Sequence, residues 1–116
     1  MRNIQIAPGE HYHIFNRGVN KQIIFHDSGD YNRFLFLILY FQSTVVFENI
    51  GRLIGGFVRH RVLNISGEIV KKRRIELVAF CIMPNHFHLI LKEIEEKGIS
   101  AYMQRVLNSY SKYYNT

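Results

Sequence analysis

Cysteine, proline and acidic side chains are scarce in this chain, and each scarcity removes a class of protein. Cys81 is the one cysteine in 116 residues. It cannot form an internal disulfide, and a chain without disulfides suits a reducing cytoplasm. Placed mid-strand, Cys81 reads as a small core residue rather than a nucleophile. No CxxC pair, HExxH run or P-loop occurs, so the chemistries those motifs carry have no footing. Long apolar runs are missing too. The longest, residues 34–41, falls far short of the roughly 20 residues a membrane helix needs. The N-terminus lacks the apolar stretch of a secretion signal. A cytoplasmic protein with no membrane partner is expected. Acidic residues number nine against fifteen Lys and Arg, giving a net charge of +6. A pI near 9.7 on so small a chain favours a polyanionic partner, nucleic acid above all.

What is present describes one packed domain. The chain is 47% hydrophobic and 14% aromatic, enough for one core and too apolar for disorder. Residues 10–42 read as a strand plus a helix. The strand covers 11–16 (HYHIFN) by its alternation. The helix covers 31–42, capped by Ser28 or Asp30. Residues 43–74 form a connector that is hard to read. Within it, 50–58 is apolar but broken by Gly51, Gly55 and Gly56, and 63–70 fits a hairpin or a loop. Residues 75–92 form a hairpin around Pro84-Asn85. A second helix follows over 100–115, with Ser100 as its cap and Tyr102, Val106 and Tyr110 at helical spacing. Strand, helix, connector, strand, strand, helix is an α+β order, with helices packed on a sheet.

The hairpin carries the chemistry. Met83-Pro84-Asn85-His86-Phe87-His88-Leu89 places two histidines two residues apart at the start of a strand. Side chains i and i+2 share a face there, so His86 and His88 point together and Phe87 points away. Two neutral imidazoles on one edge are half of a metal site. A second pair, His11 and His13, has the same spacing on the first strand, so spacing alone does not choose between them. The turn beside His86 and His88, open to solvent and substrate, favours that pair. Octahedral Mg or Mn would add oxygen ligands.

Other candidates are less defined. Lys71, Lys72, Arg73 and Arg74 are four consecutive cations before a strand, either a solvated connector or contacts to a phosphate backbone. Arg17 and Lys21 lie in a polar loop and are read the same way. Tyr102, Tyr110, Tyr113 and Tyr114 crowd the last helix. A tyrosine can attack phosphorus beside a metal, but aromatic spacing on an amphipathic helix also describes a core.

Three segments together resemble the HUH single-strand DNA transposases, within the REP-associated tyrosine transposase-like group. They are Tyr12-His13-Ile14-Phe15-Asn16-Arg17-Gly18 with Lys21 and Phe25, the Cys81-to-Leu89 run, and residues 100–115 with Met103-Gln104 and Ser109-Tyr110-Ser111-Lys112-Tyr113-Tyr114-Asn115. The resemblance implies a ferredoxin-like α+β fold, its antiparallel sheet carrying helices on one face. It implies His86 and His88 as ligands of Mg or Mn. The expected substrate is single-stranded or hairpin DNA, cut by a tyrosine that becomes linked to the 5′ phosphate, often in a homodimer. In relatives that tyrosine and a third ligand lie on a later helix. The chain therefore reads as a single transposase-like HUH domain over 1–116, truncated at its C-terminus, with the nucleophile beyond Thr116. Tyr110 and Tyr113 are secondary candidates only. The alternative is a non-catalytic nucleic-acid-binding module or an inactive transposase remnant.

Overall fold

A computed structural model describes residues 6–18, 23–44, 52, 55–56 and 71–114. The readings of 50–58 as a broken apolar run and of 63–70 as a hairpin or loop, and the assignment to Lys21, lie largely or wholly outside these residues.

The first strand, β1, spans His11–Arg17. Its alternation buries Ile14, while His11, His13, Phe15 and Arg17 face solvent. Helix α1 covers Ser28–Tyr40. Its N-cap is Asp27, not Ser28 or Asp30: the Asp27 carboxylate accepts from the Asp30 N–H at 2.8 Å. Asp30 sits in the first turn and accepts from the His26 N–H at 3.0 Å. One orphan donor of the helix and the N–H just before the cap are thus satisfied by two acidic residues three apart, at the end where the helix dipole favours negative charge. Five consecutive residues, Phe34 to Ile38, are buried. A helix apolar around its circumference is enclosed rather than laid on a surface.

Strands β2 (Ile75–Met83) and β3 (His86–Glu93) form the expected hairpin. Met83 pairs with His86 across the Pro84-Asn85 turn, and a bulge between Leu77 and Ala79 sets Val78 outside the register. On its other side β3 pairs antiparallel with β1, from Arg17↔His86 to His11↔Lys92. The sheet order is β1-β3-β2. With β3 central, Phe87, Leu89, Leu91 and Glu93 go to the buried face and the even-numbered residues to the other.

Helix α2 spans Gly98–Tyr114, beginning two residues before the expected cap at Ser100. The cap comes from the end of β3: the buried Glu93 carboxylate accepts from the Ile99 N–H at 2.6 Å. Tyr102 donates to the Ile38 carbonyl at 2.7 Å, and Tyr110 to the Ile24 carbonyl at 2.9 Å. Phe34 lies 4.8 Å from Phe87 and meets Tyr110 edge-on at 5.5 Å, ring centre to ring centre. Both helices therefore share one core with one face of the sheet. The fold is α+β, of the ferredoxin-like class expected. No helix among the described residues is long and apolar enough to cross a membrane.

Candidate functional site

Two backbone clamps fix the turn that precedes the histidines. The Asn85 carbonyl accepts from the Gly18 N–H at 2.9 Å. The Pro84 carbonyl accepts from Ile24 and Phe25 at 2.8 and 3.0 Å. Both sides of the loop between β1 and α1 thus grip a two-residue turn whose first residue already has its φ fixed by the proline ring.

From that turn the central strand projects His86 and His88 onto the open face, with Phe87 on the core side at 2% exposure. The two imidazoles are half-buried and edge-on, with ring centres 5.3 Å apart. Each has its Nδ1 engaged. His86 Nδ1 lies 2.8 Å from Asn85 Oδ1. His88 Nδ1 lies 2.9 Å from His13 Nε2, with the two rings stacked. Phe15 lies between the two strands' histidines, 4.7 Å from His88 and 5.7 Å from His86 by ring centres. The pKa of His88 is lowered from the ordinary histidine value. Desolvation is the main cause, followed by repulsion from charge on His13 and His86. A lowered pKa favours the neutral form, the form with a lone pair to give.

Of the residues singled out in the sequence, Arg17 is brought to this site. It pairs with His86 across the strands, and its guanidinium lies 5.5 Å from the Phe15 ring centre. The Lys71 to Arg74 run is not. It precedes Ile75, which pairs with Glu93 at the far end of the hairpin, roughly 25 Å away at about 3.3 Å per residue. Lys71 and Lys72 are exposed there, while Arg73 and Arg74 are half-buried and bound through their backbones to Ser43 and Gln42.

Tyr110 and Tyr113 lie on the helix side of the sheet, opposite the histidines. Tyr110 is buried, and that burial raises its pKa far above the tyrosine range. Tyr113 donates to Asp30 Oδ1 at 2.6 Å, which pushes its pKa up to about 12. Neither phenol is disposed to ionise or to reach the open face.

Cys81 is exposed, not a core residue. It stands opposite His88 on the open face, because past the bulge the hairpin register gives Ala79, Cys81 and Met83 to that side. Sequence reasoning also missed His13, Asn85 and Phe15 as neighbours of the pair. Alternation alone put His13 and Phe15 on one face of β1, but nothing in the sequence said that β1 lies beside β3. Among the described residues, no group of three or more His, Cys, Asp or Glu side chains is arranged to hold a metal ion.

A scan against family models matches residues 36–116 to the family described as "Transposase IS200 like". The chain belongs to this family. No curated protein and no solved structure matches it. The kinship is the one the hairpin motif points to, and it makes DNA transposition the setting of the protein and DNA its partner. The matched span contains both strands of the hairpin, His86, His88 and all of α2. It leaves β1 out, so His13, Phe15 and Arg17 join the site through the fold rather than through the family match.

Proposed function

We propose that this IS200-like transposase chain is a metal-dependent strand-transfer domain acting on single-stranded or hairpin DNA, with His86 and His88 as ligands of Mg or Mn. The observation that carries the reading is the placement of both imidazoles on one face of the central strand, beside a clamped turn, with Arg17 alongside. The two imidazoles would supply part of the donor set of such an ion. Two neutral nitrogens from one rigid edge leave positions for water and phosphate oxygens, which a hard divalent ion keeps. Once bound, the ion would polarise the scissile phosphate. The chain's own residues do the rest. His86 and His88 fix where the phosphate sits, and Arg17 neutralises a neighbouring phosphate. The attacking tyrosine is not assigned to Tyr110 or Tyr113, whose phenols are committed to other partners across the sheet.

Calorimetry with Mn²⁺ tests this directly. The unaltered chain should bind, and His86→Ala should abolish binding. Equal binding by the variant would remove His86 from the site.

A second reading, a nucleic-acid-binding module without catalysis, is favoured by the absence of a third metal donor among the described residues. Gel shifts on hairpin DNA separate the two. Binding that ignores both Mg²⁺ and His88→Ala belongs to the module; binding strengthened by Mg²⁺ and weakened by the substitution belongs to the transposase reading.

A further inference from the structure

We infer that Asn85 and His13 are positioning residues that select Nε2 as the metal-binding nitrogen of His86 and His88. The inference rests on the metal reading above and adds how the pair is held ready for it.

A neutral imidazole carries one proton on one of two nitrogens, and only the bare nitrogen can bind a metal. Which nitrogen is bare follows from what the other one touches. At His86 the partner is Asn85 Oδ1, 2.8 Å from Nδ1. A carbonyl oxygen only accepts, so Nδ1 of His86 must donate and Nε2 is left with its lone pair. Asn85 is also the second residue of the turn, and its own carbonyl is clamped by Gly18. The acceptor is therefore fixed by the backbone on either side of it.

At His88 the partner is itself an imidazole. His13 Nε2 and His88 Nδ1 lie 2.9 Å apart, so one of the two carries the proton. If His13 carries it, His88 holds its proton on Nε2 and cannot bind metal there. If His88 carries it on Nδ1, Nε2 is free, and His13 must hold its own proton on Nδ1. Metal binding at Nε2 of His88 thus requires His13 as acceptor. Both ligands have Nδ1 engaged with a partner: at His86 the amide oxygen fixes the proton on Nδ1, and at His88 the proton goes to Nδ1 only with His13 as acceptor. This contact also gives the second His-x-His pair a use. His13 is the partner of His88, while His11 pairs with Lys92 further along the strand and takes no part.

The test needs no cleavage assay. Histidine ¹⁵N–¹H long-range NMR on the metal-free chain reads the tautomer of each ring. Nδ1–H on both His86 and His88 is the expected result, and Nε2–H on His88 in the unaltered chain overturns the inference. Mn²⁺ titration followed by EPR then compares variants. His13→Ala should weaken binding about 10- to 100-fold, His13→Gln should recover part of it through its carbonyl acceptor, and Asn85→Ala should resemble His13→Ala. His13 is exposed, so unchanged thermal unfolding of its variants should accompany the loss. Normal Mn²⁺ affinity in His13→Ala overturns the inference alone. No Mn²⁺ binding by the unaltered chain overturns the metal reading on which it rests.

Discussion

Tyr113 donates to Asp30 across 2.6 Å, tying the last turn of α2 to the first turn of α1. The Arg33 guanidinium lies over the same ring at 4.3 Å from its centre. The hydrogen bond to a carboxylate favours the protonated phenol and pushes the pKa up to about 12. A group whose folded pKa is raised stabilises the fold fully below its unfolded pKa, about 10 for tyrosine, and that stability is lost as pH rises through the folded value. Tyrosinate absorbance during an alkaline titration should lose one component near pH 12 in Tyr113→Phe, while the later ionisation of Tyr110 stays. The same variant should lose about 1 kcal/mol at neutral pH in urea unfolding, the net worth of one such hydrogen bond. Loss instead of a component near the ordinary tyrosine pKa, about 10, would mean that the bond does not form in solution.

Gly98 is required by packing. The Arg74 carbonyl accepts from both Ile94 and Glu95, at 3.1 and 3.0 Å, as the chain leaves β3 for α2. A Cβ on Gly98 would overlap that same carbonyl oxygen and press on Ile75. The obstacle is backbone already committed to two hydrogen bonds, so it cannot simply turn away. Gly98→Ala should destabilise the fold by about 1–3 kcal/mol, the usual cost of overpacking, although alanine is the better helix former. Full stability on chemical unfolding would show that the start of α2 yields.

The hairpin and both helices were legible because each carries a local signal: alternation, a Pro-Asn turn, or a period near 3.6. His86 and His88 were legible for the same reason. The rest of the site depends on strand order. Whether β1 lies beside β3 or beyond β2 is decided by the core as a whole, and only the first choice brings His13, Phe15 and Arg17 to the hairpin. The cap of the second helix was misread for a related reason. The carboxylate that caps α2 belongs to Glu93, five residues before Gly98, and reaches the helix only because β3 ends there.

Cys81 offers a check on that register. A thiol on the core side of β2 would resist modification, whereas this one is exposed and faces the same side as His88. A maleimide or aromatic disulfide reagent should titrate one thiol in the native chain, at nearly the rate seen in denaturant. Protection in the native state, released only on unfolding, would place Cys81 on the helix side and shift the hairpin by one residue.

Arg17 and the Lys71–Lys72 pair should differ in how they affect DNA binding, because they lie at opposite ends of the sheet. Any cation that neutralises a phosphate releases a counterion, so its removal lowers both affinity and salt dependence. If DNA is held across the histidine end, Arg17→Ala should weaken binding to single-stranded DNA and reduce the slope of log affinity against log salt by about 1. A double Lys71→Ala, Lys72→Ala variant should leave the slope within about half a unit of the original. Both cations are exposed and carry no side-chain role in the core, so their loss leaves the fold intact and the comparison is between charges alone. The reverse outcome, a slope that falls with the lysines and not with Arg17, would move the DNA path to the far end of the hairpin and away from His86 and His88.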